Sequence, residues 1–459
     1  MNPLPLALLP LFLVIQVLLL RRTPFDLLTI PRNPAALLWA LQTIPIPTTA
    51  LLISAGLLSA TPFLPPSSEG FYWLPTSAIL ITFTLLHLWL ALLYRPTTTD
   101  LRMHPTAVDY HTPEILNALL PTLTLICLAT LAALTILGYR HAVVFTAVTG
   151  APLISARLHN SYYSGVPSQL LPITFLYPYL AAYVAGRGLF TRPAASLLCM
   201  LSAFLLVTAR GDKAPVVYTV LLFAHAMSRH FYKHHLLLLL FLLLGFGMVA
   251  TALLGLVHLQ YDVSSLNDFL AYLVSRVPAQ LSGVYITFEL YREGAPWPDN
   301  LWQAIIPSFA RSSDFLDFHR FLMLYMTGAP EDAVGGLSTY FIAEALAIGG
   351  PVLLWTSPLI VALAMYAAYC LWRVAFMTLA RVNDPSLPAV FTVLCSPITA
   401  QFSAFPLLKT AILWLLLMTP VLAVIRFRSR KYASTNVTSH FRTARQLSGT
   451  PRERCMGNV

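Results

Sequence analysis

Long apolar runs separated by short polar or basic segments dominate the hydrophobic pattern of this chain. A bilayer core about 30 Å thick requires about 20 mostly apolar residues in each helix that crosses it. Eleven runs approach or reach that length, and they cover residues 3–20, 36–60, 78–94, 115–138, 168–186, 193–209, 214–228, 236–258, 351–372, 386–402 and 409–425. The pattern predicts an all-α, polytopic integral membrane protein with about 11 transmembrane helices, in the range of about 10 to 12.

The composition excludes the soluble classes of protein. Of the 459 residues, 57% are apolar and 10% are charged, and the mean hydropathy is +0.72. A soluble globular chain carries about 25% charged residues, and disordered or coiled-coil chains carry more. The five cysteines show no CxxC pair and no metal-ligand spacing, so we expect neither redox nor zinc chemistry from them.

The charge distribution predicts an orientation. The net charge of +10 would suggest nucleic acid in a soluble protein, but in a membrane protein basic residues collect in cytoplasmic loops. The tail, residues 426–459, has eight Lys or Arg and one acid, so we expect it to be cytoplasmic and disordered. Alternation from that tail places five basic loops inside and the N-terminus outside. A twelfth helix from residues 341–350 is the alternative count.

One segment departs from the short-loop pattern. Residues 259–336 hold nine of the chain's eighteen acids and four arginines, and alternation places them outside. The stretches LNDFLAYLVSRV and FLDFHRFLMLYM carry apolar residues at helical spacing. We therefore expect a transmembrane domain over residues 1–425, with one large helical periplasmic loop over residues 259–336 that lies on the membrane surface.

Arginines on the external side oppose the orientation bias and indicate a binding function. Arg binds phosphate bidentately and stays charged, so an external cluster suggests a lipid-linked phosphate or pyrophosphate. For a single Arg, a contact to a lipid head group or a nearby acid is the simpler interpretation. For Arg157 and Arg210 together we favour function, because their segments contain few acids. The external cations are Arg140, Arg157, Arg210, Lys213, Arg276, Arg292, Arg311 and Arg320.

General acids or bases on the same side are few. The candidates are His159, Asp212, Glu289, Asp317, His319 and Glu344. Asp317 and His319 are close enough in sequence to orient each other, although a solvated loop helix explains them equally well. Glu344 differs because it lies in an apolar, Gly-bounded run, where a carboxylate is costly. His87 and His225 lie within apolar runs without an acidic partner, so we expect hydrogen-bonded core histidines.

Several cofactor motifs are missing from the sequence. It contains no Walker loop, no GxGxxG after a strand, no HExxH and no DxD-like pair. We therefore expect no metal, no nucleotide cofactor and no nucleic acid partner. The predicted spans also lack the buried acids and bases of an ion-coupled transporter.

Three segments carry a resemblance to a known family. They are LLPITFLYPYLAAYVAGRG after Arg157, TARGDKAPVVYTVLLF with Arg210 and Lys213 at the head of a span, and GGLSTYFIAEALAIGGPVLL at the end of the large loop. Together, over roughly residues 139–372, they resemble the O-antigen polymerase (Wzy-type) family of bacterial oligosaccharide repeat-unit polymerases. Some members carry Arg-x10-Gly motifs in two external loops. Here the spacings from Arg157 to Gly165 and from Arg276 to Gly283 are shorter.

The resemblance implies a metal- and nucleotide-independent glycosyltransferase of the bacterial inner membrane. Such an enzyme transfers a growing glycan from undecaprenyl pyrophosphate onto the next lipid-linked unit at the periplasmic face, for O-antigen or exopolysaccharide. Its partners would be the lipid-linked oligosaccharide and membrane lipid, with a chain-length regulator and a flippase as further candidates. The implied substrate-binding residues are Arg157, Arg210, Lys213, Arg276, Arg292 and Arg311, and the implied catalytic candidates are Glu344, His159 and His319.

Two other functions fit the same architecture. An O-antigen ligase would carry a His-Asn type motif in the late external loop, but His159-Asn160 falls in the earlier loop and His319 has no Asn after it. A flippase or exporter would line a path through many spans with polar residues, and these spans are mostly Leu, Ala and Thr. The polymerase is therefore the favoured hypothesis.

Overall fold

The computed structural model describes most of the helical part of the chain. The described residues are 3–21, 23–30, 33–58, 72–94, 112–151, 153–162, 165–166, 170–228, 235–261, 265, 267–271, 281–294, 297–298, 301, 303, 318–327, 340–380, 386–395 and 410–427. Across these residues the secondary structure is helix joined by turns, without β-strands. The prediction of an all-α protein is confirmed for this part of the chain.

The first half of the chain contributes ten helices to this description. They are α1 (Pro3–Leu20), α2 (Pro34–Thr43), α3 (Pro45–Ser54), α4 (Trp73–Tyr94), α5 (Thr112–Ile136), α6 (Ala142–Thr149), α7 (Leu153–Tyr162), α8 (Ile173–Gly188), α9 (Pro193–Thr208) and α10 (Lys213–Ser228). Proline begins several of them, because its fixed φ suits the first helical turn and its missing N–H has no partner there anyway.

The second half contributes six further helices. They are α11 (His235–Tyr261), α12 (Ser282–Glu293), α13 (Phe318–Thr327), α14 (Tyr340–Val374), α15 (Ser386–Cys395) and α16 (Thr410–Phe427). A π-helical turn, Ala375–Ala380, extends α14.

Apolar helices long enough to cross a membrane are present. Within the described ranges, five helical segments of 18 residues or more have the required hydropathy, namely Pro34–Ser54, Trp73–Tyr94, Ala118–Ile136, Tyr340–Thr378 and Thr410–Phe427. Shorter apolar helices include Leu4–Leu20, Pro193–Thr208, Leu243–His258 and Ser386–Cys395. Each of the eleven predicted runs contains helix, so membrane association is supported. The number of about eleven spans stays a prediction, because several of these helices are shorter than 18 residues.

Helices α5, α9 and α10 pack around α8, which is buried over most of its length. Small residues allow this close packing. A Cβ at Gly186 would collide with the backbone oxygen of Phe223 and would lie 2.8 Å from the Cβ of Ala226. Small residues at helix contacts are typical of membrane bundles, where close backbone approach replaces the hydrophobic effect.

The helix that contains Glu344 begins earlier than the sequence pattern predicts. Helix α14 starts at Tyr340 instead of near residue 351, and it changes direction where Gly349 and Gly350 have non-helical backbone angles. The stretch that is the candidate for a twelfth helix is helical, and Gly349 and Gly350 separate it from the helix that follows. Glu344 lies near the start of a candidate membrane span, and its position at the external side stays a prediction.

The large loop packs against the bundle in part. Helix α12 lies against α4 and α14, and the Tyr285 hydroxyl is 2.8 Å from the Thr76 hydroxyl. Residues Ser282 to Phe288 are buried, so one side of α12 packs on the bundle, and its position on the membrane surface stays a prediction. Helix α13 confirms the helical prediction for FLDFHRFLMLYM. Of LNDFLAYLVSRV, residues 267–271 are described, and they are helical.

Candidate functional site

Three polar segments meet at the end of the bundle where α5 and α9 end. They are the segment between α5 and α6, the segment after α7, and the turn between α9 and α10. The Ala142 amide donates to the Ala209 carbonyl at 2.8 Å, which joins the start of α6 to the turn after α9. The Gly165 amide donates to the Leu137 carbonyl at 3.0 Å. These backbone bonds place α7 beside the turn between α9 and α10. Arg157 and Arg210, 53 residues apart in sequence, thereby become neighbours.

Asp212 joins the two arginines, and we refer to Arg157, Arg210 and Asp212 as the arginine cluster. Arg157 Nη2 is 3.0 Å from Asp212 Oδ1, and Arg210 Nε is 2.9 Å from Asp212 Oδ2. Arg157 also donates to the backbone, through Nε to the Arg210 carbonyl at 3.3 Å and through Nη2 to the Gly211 carbonyl. The three side chains are between 28% and 32% exposed, so water screens them only partly.

Gly211 allows the turn that presents this cluster. Its φ of +69° is a left-handed conformation that residues with a Cβ adopt at a cost of about 1–2 kcal/mol. An added Cβ would also lie 2.8 Å from Leu153 Cδ2 on α7. The turn can therefore approach α7 closely, and Arg157 reaches the Arg210 and Gly211 carbonyls.

The two segments that form the site carry excess positive charge. Residues 137–166 and 208–216 contain Arg140, Arg157, Arg210 and Lys213, and their single carboxylate is Asp212. Four cations and one anion leave a net charge of +3. Each carboxylate oxygen of Asp212 contacts one of the two arginines, so the role of Asp212 is to hold the two guanidinium groups in place. Its candidate role as a general acid or base stays a prediction.

Arg210 retains donors for a ligand. Among the described residues, the hydrogen-bond or ion-pair partner of its side chain is Asp212, which it contacts through Nε. A guanidinium has five N–H donors, and its two terminal nitrogens form the fork that binds phosphate bidentately. The cluster therefore combines a fixed geometry with unused binding capacity.

Tyr139 and Asn160 lie next to the arginine cluster and support the backbone around Arg140. Asn160 Nδ2 donates to the Arg140 carbonyl at 2.7 Å, and its Oδ1 accepts from the Arg140 amide at 2.7 Å. Tyr139 is buried, and desolvation raises its pKa to about 12, although the positive charges of Arg210 and Arg157 oppose that shift. The Tyr139 hydroxyl therefore stays protonated at neutral pH and lies within the electrostatic range of the arginine cluster.

His141 fixes the start of α6. Its Nδ1 accepts from the Val144 amide at 3.3 Å, which is an N-cap interaction, and its Nε2 lies 2.8 Å from the Leu205 carbonyl. An acceptor at Nδ1 requires the proton at Nε2, so these partners define the neutral tautomer. Burial lowers the pKa of His141. The imidazole is thus a neutral structural cap beside the site.

Two buried tyrosines, Tyr179 and Tyr340, and the half-buried Tyr218 lie between the arginine cluster and α14. Tyr179 is within electrostatic range of Arg210 and Asp212, and its ring centre is 6.4 Å from that of Tyr218. Tyr218 is in turn within electrostatic range of Tyr340, the first residue of α14. Glu344 follows one helical turn later and is 3% exposed. Tyr340 has a φ of +50°, an uncommon angle for a bulky side chain, and such angles concentrate at functional positions.

Several of the other residues predicted for the site lie elsewhere in the structure than the arginine cluster. His159 lies on α7, half-buried, and Lys213 is the first residue of α10. Arg292 is exposed near the end of α12, beside Glu289, whose pKa is raised by desolvation and by Glu293. His319 lies on α13. Three other predicted residues, Arg276, Arg311 and Asp317, lie outside the described residues.

Sequence reasoning paired Arg157 with Arg210 but missed the groups that organise them. Asp212 was a candidate general acid or base and not a shared anion, and neither Asn160 as a backbone clamp nor the four tyrosines, Tyr139, Tyr179, Tyr218 and Tyr340, were predicted as site residues. A carboxylate two residues after Arg210 was a visible signal for the first of these. Within the described ranges, no three His, Cys, Asp or Glu side chains group together as metal ligands.

Comparisons with protein-family models, with curated proteins and with solved structures find no match to this chain.

Proposed function

We propose that this protein polymerises oligosaccharide repeat units that are linked to undecaprenyl pyrophosphate. The reaction would take place at the periplasmic face of the bacterial inner membrane and would build O-antigen or exopolysaccharide. The growing glycan moves from its carrier onto the next lipid-linked unit. The proposal combines the resemblance described above with the geometry of the arginine cluster.

The main observation behind the proposal is that Arg157 and Arg210 both form ion pairs with the carboxylate of Asp212. An ordinary surface ion pair uses one cation for one anion and contributes about 0–1 kcal/mol. Here two arginines share Asp212, and the surrounding segments hold a net charge of +3. Such an excess at an end of an apolar helical bundle suits a ligand with two or more negative charges close to the bilayer, as in a lipid pyrophosphate.

The proposed reaction requires no cofactor to drive it. A hydroxyl oxygen of the acceptor sugar attacks the anomeric carbon of the donor glycan, and the bond from that carbon to the pyrophosphate oxygen breaks. The hydroxyl proton passes to a general base, and the electron pair leaves with the carrier pyrophosphate. Arg157, Arg210 and Lys213 would stabilise the charge that develops on this leaving group. Arg276, Arg292 and Arg311 are proposed for further contacts to pyrophosphate or sugar.

Glu344 is the preferred general base, with His159 and His319 as the other candidates. A buried carboxylate in an apolar helix is costly and is functional by default. Glu344 is buried one turn after a strained tyrosine, and that tyrosine belongs to the series that leads to the arginine cluster. His159 is on the same helix as Arg157. The His159-Asn160 pair does not favour a ligase, because the Asn160 side chain is committed to the Arg140 backbone.

A deletion strain and the purified protein test this proposal. We expect the deletion to remove the ladder of long chains from a polysaccharide gel and to leave single-unit caps. Purified protein in detergent should elongate lipid-linked repeat units without added metal or nucleotide. A strain that also loses the single-unit caps would point to a ligase. Intact long chains in the deletion strain would refute the polymerase.

A further inference from the structure

A groove lies between α5 and α6 and ends at Tyr139, Arg140 and His141. Its volume is about 580 Å³, within the range of about 300–1,000 Å³ that is typical of ligand sites. Leu131 and Thr135 of α5 form one wall, and Val144, Phe145 and Val148 of α6 form the other. The pairs Leu131 with Thr135 and Val144 with Val148 are each four residues apart, so each pair lines one face of its helix.

The apolar wall contributed by α6 is exposed although the opposite side of this helix is buried. Val144 is 49% exposed and Val148 is 79% exposed, whereas Ala142 and Thr146 are buried. Val143 and Phe145 pack against the cluster of Ala142, Leu153 and Ala156, and Val143 also packs against the cluster of Val207, Val216 and Leu256. The protein therefore fixes α6 from one side and leaves apolar side chains on its other side in contact with the surroundings.

The end of the groove is polar and cationic. Tyr139, Arg140 and His141 line it there, and the Arg140 guanidinium carbon is 4.9 Å from the centre of the Phe145 ring. Tyr139 belongs both to this end and to the surroundings of Arg157 and Arg210. The groove thus ends at Arg140, and Tyr139 at that end lies within the electrostatic range of Arg157 and Arg210.

We infer that this groove holds the hydrocarbon tail of a lipid phosphate, with the phosphate at Arg140 and the arginine cluster. The charge complementarity argues for an anionic lipid, because Arg140 lines this end of the groove and the segments that form the site hold four cations and one carboxylate. The apolar walls argue against free phosphate, since Leu131, Val144 and Val148 offer it no hydrogen bond. The inference rests on the proposed function in one respect, namely that the bound phosphate is the carrier pyrophosphate.

Groove-filling variants test the inference. In Val144→Trp and Val148→Trp a large side chain occupies the exposed wall without entering the core. The matched control is Ile136→Trp, an 84% exposed position at the end of α5 that does not line the groove. Full-length protein is purified in detergent, and its affinity is measured for two probes: undecaprenyl pyrophosphate, and inorganic pyrophosphate as the head group alone.

We expect Val144→Trp to weaken binding of undecaprenyl pyrophosphate at least about tenfold, which is the factor for losing about two buried methylene groups. Its affinity for inorganic pyrophosphate should not change, and Ile136→Trp should bind both probes as the natural protein does. Arg140→Gln should weaken binding of both probes. Unchanged lipid binding by Val144→Trp and Val148→Trp, or an equal loss for both probes, would overturn the inference.

These results are independent of the outcome of the polymerisation assay. If Val144→Trp loses lipid affinity but the natural protein elongates nothing, the groove is supported and the polymerase is refuted. If the natural protein elongates repeat units and Val144→Trp binds the lipid normally, the polymerase is supported and the groove is refuted.

Discussion

Two polar clusters of this molecule illustrate opposite uses of polar side chains in an apolar bundle. The core cluster consists of Gln16, Trp39, Thr84 and His87, on α1, α2 and α4. Trp39 Nε1 donates to His87 Nε2 at 3.1 Å, His87 Nδ1 contacts Gln16 Oε1, and Gln16 Nε2 donates to Thr84 Oγ1 at 3.2 Å. The arginine cluster instead lies at an end of the bundle and is partly exposed.

The difference lies in how completely the groups satisfy one another. In the core cluster both His87 ring nitrogens have partners and no side chain is charged, so the cluster stabilises the packing of three helices. In the arginine cluster two cations share one carboxylate. Arg210 contacts that carboxylate through Nε, so its two terminal nitrogens remain able to donate to a ligand. A closed neutral network indicates structure, whereas an unbalanced charge held in a fixed geometry indicates a ligand. The following predictions test that distinction.

Removing charge from the arginine cluster should have the largest effect on activity. We expect Arg157→Gln and Arg210→Gln each to lower kcat/KM for lipid-linked repeat units by about 10²–10³, as for the loss of one preorganised group that stabilises a developing anion. The folded protein should be unaffected, because partly exposed ion pairs add little stability. Initial rates of elongation and the apparent unfolding temperature in detergent provide the two measurements.

A conservative variant separates charge from geometry. Arg210→Lys keeps the charge but loses the bidentate fork, so we expect activity between that of the natural protein and that of Arg210→Gln. Full activity of both Arg210 variants would remove the arginine cluster from the mechanism.

Truncation of His87 should lower the stability of the protein and leave its activity unchanged, the opposite of what we expect for the arginine cluster. His87→Ala leaves the Trp39 N–H and the Gln16 carbonyl without partners inside the bundle, which costs about 1–3 kcal/mol, and the cavity adds to that. We expect a clear drop in the apparent unfolding temperature and an unchanged elongation rate per folded molecule. His258→Ala, at an exposed position of α11, serves as the control. A large loss of activity with normal stability would show that the core cluster is functional after all.

The sequence allowed parts of this comparison to be predicted. Apolar runs predicted the helices, and the lack of an acidic partner predicted that His87 and His225 are hydrogen-bonded core residues; His87 contacts Trp39 and Gln16, and His225 Nε2 lies 3.2 Å from the Ile30 carbonyl. The same reasoning brought Arg157 and Arg210 together. It did not find the tyrosines or the groove, because these depend on which faces of distant helices meet. Helix periodicity alone does not contain that information.

Changing the turn without changing its charges should have an intermediate effect. Gly211→Ala introduces strain at a φ of +69° and a Cβ 2.8 Å from Leu153 Cδ2, so either the Leu153 side chain or the turn must shift, and we expect the turn to carry Arg210 and Asp212 away from α7. We expect activity to fall about tenfold, since small displacements of positioned groups are costly. Gly294→Ala is the matched control, because Gly294 has a φ of +65° with no atom within 4 Å of an added Cβ. Equal losses in both variants would assign the effect to backbone strain rather than to the cluster.

The smallest effect concerns the cap at the start of α6. Burial lowers the pKa of His141 below its ordinary value of 6.5, so the unfolded chain binds this proton more readily than the folded protein. The stabilising contribution of neutral His141 is therefore fully present above about pH 6.5 and decreases as the pH falls toward the folded pKa. Protonation of Nδ1 removes the acceptor for the Val144 amide, and loss of such a cap costs about 1 kcal/mol.

Hydrogen exchange of residues 142–149 measures this directly. After correction for intrinsic rates, we expect less protection of this segment at pH 5.5 than at pH 7.5, with no change in the core cluster. His141→Asn supplies an amide oxygen as an N-cap that does not titrate, so its protection should be independent of pH. If the Asn variant shows the same pH dependence as the natural protein, another titrating group controls α6. The neutral His141 cap would then not be what fixes this wall of the groove.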